Sequence, residues 1–263
     1  MGFKSALTRL HWILSAQFGI DPRRMLHSLS GLARYRRDLA KFRSTYAGPL
    51  ERVPCLFDWD DEGGTTKSEY FWQDLVVARM IFAAQPERHV DVGSRVDGFV
   101  AHVASFREIE VLDIRPISTT VPGVVFRQLD LMNADTMAEY CDSLSCLHAL
   151  EHFGLGRYGD PIDPAGFDRG LVNIARLLKP RGVLYLSVPV GLPRVEFNAQ
   201  RVSDPRVVTA QAKRCSLELR GLSVIKSGSS LERLEPSESQ LTQLAAQRYA
   251  LAIFEFTKVV GPQ

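Results

Sequence analysis

No run in the sequence approaches the roughly 18 apolar residues that a membrane-spanning helix requires, so no such helix is expected. The first residues, MGFKSALTRLHWILSAQFG, lack the continuous apolar centre and small-residue cleavage site of a secretory signal, and a cytoplasmic location is expected. Cysteine is scarce. Cys55, Cys141, Cys146 and Cys215 show neither CxxC spacing nor a disulfide framework, which points to reduced thiols. Internal repeats and low-complexity tracts are also absent. What is present, 263 residues with 45% hydrophobic and 24% charged, suits one large globular domain with an elaboration.

The net charge of +2 hides an asymmetry. Residues 1–52 carry ten Lys/Arg against three acids, so this segment is +7 and the remainder −5. A basic arm of this kind can meet anionic lipid, nucleic acid or a phosphorylated substrate, or can simply be a solvated helical face. Phe3, Leu7, Leu10, Leu14 and Phe18 form one apolar stripe, and Asp21-Pro22 reads as a helix start. A further helix is expected after Ser30-Gly31, carrying Leu32, Tyr35, Leu39, Phe42 and Tyr46. Residues 53–85 read as a linker and a capping helix, in which Thr66 and Glu69 make a capping-box pattern before SEYFWQDLVVARMIFAA.

From residue 86 to 263 strands and helices alternate. RHVDVG, EIEVLDI, GVVFRQLD, SLSCL, GVLYLSVPV, LSVIK and YALAIFEFTKV are seven candidate strands. GFVAHVAS, ADTMAEYC, DPAGFDRGLVNIARLL and DPRVVTAQAKRCSLEL read as helices between them. The expected fold is therefore α/β: a Rossmann-like, seven-stranded, mostly parallel sheet flanked by helices, with an N-terminal helical extension. Ligand sites in such folds lie at the C-terminal strand ends.

Three features fall there. Asp91-Val-Gly93-Ser94-Arg95-Val-Asp-Gly98 leaves a strand and enters a helix; Gly93 lets the backbone approach a ligand, and the helix near Gly98 offers free N–H groups. Asp113 ends the next strand, twenty residues beyond Gly93, where an acid accepts from ribose hydroxyls. Asp130 ends the third, placed to receive an adenine amino group. Arg95 stands where a dinucleotide fingerprint has its second glycine, and Asp91 is awkward for a pyrophosphate. A carboxylate there suits an ammonium or sulfonium group, and S-adenosylmethionine carries both.

On these residues, together with CLHALEHF and the turn Lys179-Pro180-Arg181-Gly182, the stretch from about 86 to 260 resembles the class I S-adenosylmethionine-dependent methyltransferases. DVGSRVDGFVAH, ALEHFGLGRYGDPIDP and EFNAQR are similar to a branch associated with bacterial surface-polysaccharide biosynthesis. The resemblance implies S-adenosylmethionine as cofactor and a carbohydrate or other small molecule as methyl acceptor. The glycine loop departs from the family pattern by one extra residue and by Arg95.

An acceptor site is expected after strands four and five. The segment from Ser145 to Asp163 gathers His148, Glu151, His152, Arg157, Tyr158, Asp160 and Asp163 among three glycines. His152, then His148, is the expected base, with Glu151 orienting a histidine or gripping a hydroxyl. Glu196, Asn198 and Arg201 are expected to bind sugar hydroxyls or phosphate, and Tyr70, Gln73 and Asp74 are placed to lid the cofactor. No resident metal is assigned. One alternative is that His148-Ala-Leu-Glu151-His152 is an HxxEH zinc-peptidase helix, with Glu196 or Glu218 as third ligand. Another is a non-catalytic scaffold in glycan assembly, which Arg95 favours. Nucleic acid is not an expected partner, because the core is acidic and shows no aromatic-basic stripe. Contact between the basic arm and anionic membrane at the inner face is an expectation.

Overall fold

The structure, a computed structural model, describes residues 10–59, 61–64, 66–133, 137–226 and 230–260. The chain divides into two compact units, Met1–Thr65 and Thr66–Gln263.

In the first unit residues 10–18 are helical, with a π-helical turn at Ile13–Gln17; Phe3 and Leu7 lie outside the described residues. Asp21 caps α1 (Pro22–Arg43), its Oδ1 accepting from Arg23 N at 2.9 Å and Arg24 N at 3.3 Å. The expected break at Ser30-Gly31 does not occur, and the helix runs through it. A Cβ at Gly31 would strike the Leu56 carbonyl and the Trp59 ring, so this glycine serves close packing rather than a helix boundary. Arg24 lies over Phe57 and Arg34 over Trp59, while Phe18, Met25, Leu26 and Leu29 stay exposed.

The second unit opens with α2 (Glu69–Ala84). Ser68, and not Thr66, is its cap: Ser68 Oγ accepts from Tyr70 N at 3.2 Å, whereas the Thr66 carbonyl accepts from Trp72 Nε1. Strands β1 (His89–Val92), β2 (Ile109–Asp113), β3 (Val124–Gln128), β4 (Cys141–Leu147) and β5 (Leu178–Val190) follow. Then come a small hairpin, β6 (Arg194–Glu196) and β7 (Gln200–Val202), and three further strands, β8 (Leu217–Lys226), β9 (Ser230–Leu234) and β10 (Ala250–Lys258). The main sheet has the order β3-β2-β1-β4-β5-β10-β8-β9, eight strands rather than the expected seven, with β9 as the additional edge. The five strands β3 to β5 are parallel, and β10 is antiparallel to both β5 and β8.

A π-helical turn at Val96–Val100 leads into α3 (Ala101–Ala104), and α4 (Gly166–Leu177), α5 (Pro205–Arg214) and α6 (Glu238–Ala245) complete the unit. The described part of the helix expected at ADTMAEYC is not helical. Residues 134–136 lie outside the described residues, and 137–140 are irregular. Glu139 N and Tyr140 N donate to the Arg176 and Leu177 carbonyls at 2.9 and 2.7 Å, so the end of α4 captures this backbone. The helix expected over DPRVVTAQAKRCSLEL ends at Arg214, since Leu217–Leu219 already belong to β8.

Two apolar layers cover the sheet. Val77, Ile81, Phe99 and Val103 pack on one face with Val111 and Ile253, and Leu171, Ile174, Val208 and Leu244 pack on the other with Leu112 and Phe254. Alternate residues of one strand feed opposite layers, which is why the strands read as continuous apolar runs. Chain order reverses between β1 and β4, and that switch point opens a crevice at the carboxyl ends of the strands.

Candidate functional site

The cleft at this switch point is lined by Gly93, Ser94, Asp113, Asp130, His148, His152, Tyr158 and Asp160 from the expected set, and by Tyr70, Gln73 and Asp74 of α2. Gly93 has φ +72°, and a Cβ there would lie 2.9 Å from Ala149 Cβ, so only glycine keeps the floor open. Asp91 braces this turn from beneath. It is fully buried and accepts from Ser94 N (3.0 Å), Ser94 Oγ (2.7 Å) and Ser145 Oγ (2.5 Å). Burial pushes its carboxyl up to about 6 against these bonds. Asp91 does not line the cleft, so the ammonium-binding role expected of it passes elsewhere. Arg95 pairs with Asp97 at 2.7 Å and also lines the cleft, near the Tyr70 ring.

Asp113 carries a partner that its position in the sequence did not reveal. Arg115 donates to it from the backbone N (2.8 Å), Nε (3.0 Å) and Nη2 (2.5 Å), reaches the Gly93 carbonyl at 3.2 Å, and stacks on Tyr158 at 4.5 Å. Asp130 Oδ1 accepts from Met132 N at 2.9 Å, and Oδ2 from Asn133 Nδ2 at 3.2 Å. Ile114, Leu129 and Met132 supply an apolar lining between the two acids.

The histidines differ sharply. His148 follows β4 in a left-handed backbone (φ +53°), held by its N–H on the Ser187 carbonyl. Its Nδ1 lies 2.6 Å from Glu151 Oε1, and Nε2 faces Glu69 Oε1 at 3.3 Å. Burial works against a charge here, but the two carboxylates outweigh it and raise His148 to about 9. It is an imidazolium at neutral pH and cannot serve as a base, contrary to one of the sequence expectations. Tyr70 packs on its ring at 4.7 Å. Glu69, which faces His148, also accepts from Tyr249 Oη at 2.8 Å and was read from the sequence only as a helix start.

His152 is the neutral partner. Burial lowers its affinity for protons more than Glu151 raises it. The Ala199 carbonyl, an acceptor only, lies 2.7 Å from Nδ1, so Nδ1 bears the hydrogen and Nε2 the lone pair. Nε2 stands 3.7 Å from Glu151 Oε1. Leu150–His152 form a single 3-10 turn rather than a helix, so the HxxEH arrangement on one helical face is not realised. Among the described residues no group of three or more His, Cys, Asp and Glu is arranged to hold a metal ion. Glu196 pairs instead with Arg194 and Gln200, and Glu218 with Arg220.

Several loop residues hold the loop itself. Asp160 accepts from the N–H groups of Gly154 (2.8 Å), Gly156 (3.1 Å) and Tyr158 (3.1 Å). Asp163 accepts from Ala165 N at 2.9 Å and pairs with Arg169. Arg201 spends its guanidinium on the carbonyls of Glu151, Phe153 and Asp163, while Arg157 Nη1 donates to the Ala199 carbonyl at 2.8 Å. Asn198 sits in the β6–β7 hairpin loop, and neither it nor Glu196 lines the cleft.

Residues 125–228 match the family described as "Caenorhabditis protein of unknown function, DUF268", which names no activity. No curated protein matches the sequence. Among solved structures, the [4+2]-cyclase SpnF is 15% identical with a TM-score of 0.52, over 76% of this chain and 86% of that one. A Galdieria sulphuraria protein assigned as a sarcosine dimethylglycine methyltransferase is 13% identical (TM-score 0.50), over 72% and 86%. A Bacillus halodurans protein assigned as a methyltransferase is 14% identical (TM-score 0.50), over 71% and 99%. At such identities the likeness is one of fold: the second unit has the Rossmann-like architecture shared with these methyltransferases and with a cyclase built on the same frame.

Proposed function

We propose that the chain is an S-adenosylmethionine-dependent methyltransferase that methylates a hydroxyl of a small acceptor, carbohydrates included. The cleft suits an adenosyl group through its strand-end acids Asp113 and Asp130, the apolar Ile114, Leu129 and Met132, and a floor that a Cβ at 93 would fill. When bound, S-adenosylmethionine supplies a methyl group on a sulfonium, which leaves by in-line displacement.

The observation that carries the reaction class is the lone pair on His152 Nε2 beside Glu151. A hydroxyl must lose its proton as it is methylated, and His152 is the neutral group placed to take it. Before that step Glu69 and Glu151 face one imidazolium, His148. Protonation of His152 brings a second cation against Glu151 and balances the pair of carboxylates. His148 therefore stands as a fixed cation between Glu69 and Glu151. Tyr70 and Tyr158, which pack against His148 and His152 at 4.7 and 5.4 Å, wall the acceptor side. Transfer of labelled methyl from S-adenosylmethionine to a panel of hydroxyl compounds and saccharides tests this, with His152→Gln as the control that should abolish it.

A second reading, a non-catalytic partner in glycan assembly, draws on Arg115, whose guanidinium engages both oxygens of Asp113. It requires weak or absent binding of S-adenosylmethionine. Peripheral contact with anionic membrane is proposed for the first unit, where exposed Phe18, Met25, Leu26 and Leu29 accompany Arg23 and Arg24. No helix among the described residues is long and apolar enough to cross a membrane.

A further inference from the structure

An arginine with no carboxylate partner stands beside the proposed base. Arg157 Nη1 donates to the Ala199 carbonyl at 2.8 Å, the same oxygen that accepts from His152 Nδ1 at 2.7 Å. One carbonyl, using both lone pairs, thus holds the guanidinium and the imidazole side by side. The guanidinium also lies over the Tyr158 ring at 5.1 Å, and that ring meets His152 edge-on at 5.4 Å. Tyr158 and His152 line the cleft, so Arg157 stands at its rim on the acceptor side. The loop beneath is fixed before any ligand arrives: Asp160 gathers the N–H groups of Gly154, Gly156 and Tyr158, and Arg201 holds the Phe153 carbonyl.

The acids of this loop are engaged elsewhere, Asp160 by those backbone amides, Asp163 by Arg169 and Glu151 by His148. Among the described residues no carboxylate pairs with Arg157. A guanidinium held this way has given up side-chain freedom, and its charge opposes the step assigned to its neighbour. Burial first, and Arg157 after it, lower the proton affinity of His152 against the pull of Glu151. Once a hydroxyl proton reaches His152, the two imidazolium ions balance Glu69 and Glu151, and Arg157 remains as a cation without an offset. An anion carried by the acceptor would supply that offset. We propose that Arg157 receives an oxyanion of the acceptor, a carboxylate or a phosphate close to the hydroxyl that His152 deprotonates, and that it selects acidic over neutral hydroxy compounds. The planar fork of an arginine suits either group. The inference rests on the reading of the cleft as a methyltransferase site with His152 as base.

Ligand-observed NMR on the S-adenosylhomocysteine complex tests it. Glucose, glucuronate and glucose 6-phosphate form one series; glycerol, glycerate and glycerol 3-phosphate form another. In at least one series wild type should bind an acidic member about fivefold or more tightly than the neutral one, the scale of one partly exposed charge-assisted contact. The carboxylate and phosphate members tell which oxyanion is taken. Arg157→Gln should reduce the ratio to near one, and Arg157→Lys, which keeps the charge but not the fork, should leave part of it. No acidic preference in either series, or one of the same size in Arg157→Gln, would overturn the assignment while binding of S-adenosylhomocysteine left the cofactor cleft standing. If Arg157→Gln does not fold, the wild-type ratios decide alone. No binding of S-adenosylhomocysteine would overturn the cleft reading and the assignment with it.

Discussion

His148 Nδ1 and Glu151 Oε1 lie 2.6 Å apart at the end of β4, one residue imidazolium and the other fully buried. This pairing separates two histidines that sit four residues apart in one loop. His148 has carboxylates on both ring nitrogens and holds its proton, whereas His152 has a carbonyl on Nδ1 and a lone pair on Nε2. Their different environments assign their different roles.

The raised His148 makes stability depend on pH with a definite sign. Its folded value, about 9, lies above the ordinary 6.5 of the unfolded chain. Its stabilising contribution is therefore complete below pH 6.5 and is lost as pH rises through about 9. Thermal melts should show Tm declining over that window in wild type. The double variant His148→Gln/Glu151→Gln should lack the decline. An equal decline in both would remove His148 as its source.

Kinetically, His152→Gln should lower methyl transfer by about 10²–10⁴-fold while leaving S-adenosylhomocysteine affinity unchanged. Because burial lowers the pKa of His152, the wild-type rate should already be on its plateau at neutral pH and fall only below 6.5. A rate that still climbs through pH 8 would point to another base.

Arg115 is the residue that sets access to the ribose acid. Its side chain is 39% exposed and can swing away, but while in place it engages both Asp113 oxygens. Arg115→Ala should therefore tighten adenosine and S-adenosylhomocysteine binding several-fold by calorimetry. Weaker binding would mean that Arg115 contacts the ligand instead of competing with it.

The seven strands and the turn at Gly93 were legible because they are written locally, as apolar runs ended by glycine or acid. The edge strand β9 was not: Ser230–Leu234 is short and largely solvent-facing, with no apolar run to announce it. Gly31 looked like a helix boundary because the Leu56 carbonyl that demands it lies far along the chain. For the same reason the contacts by which Asp160, Asp163 and Arg201 hold the loop were not legible. Their partners are backbone amides and carbonyls of the folded loop, which no side-chain pattern records. Asp91 was correctly placed at the turn but faces inward, because Ser145 on the neighbouring strand meets it. Arg115, only two residues from Asp113, was within reach of a local reading, since an arginine so near a strand-end acid readily folds back on it.

Membrane contact has a simple readout. Exposed basic residues contribute on the order of 1 kcal/mol each at an anionic surface. Full-length protein should co-sediment with vesicles containing phosphatidylserine but not with neutral ones, and deletion of residues 1–52 should abolish this. Identical sedimentation after deletion would exclude the arm.

The most direct test of the central claim is calorimetric titration of wild type and Asp113→Ala with S-adenosylmethionine. Asp113 closes β2 at the cleft, where Arg115 holds its carboxylate, so the melting temperature of the variant is read alongside binding. Micromolar binding by wild type, lost in the variant with its melting temperature retained, is the predicted result. The same affinity in both proteins, or none in wild type, would contradict the assignment of this cleft to S-adenosylmethionine.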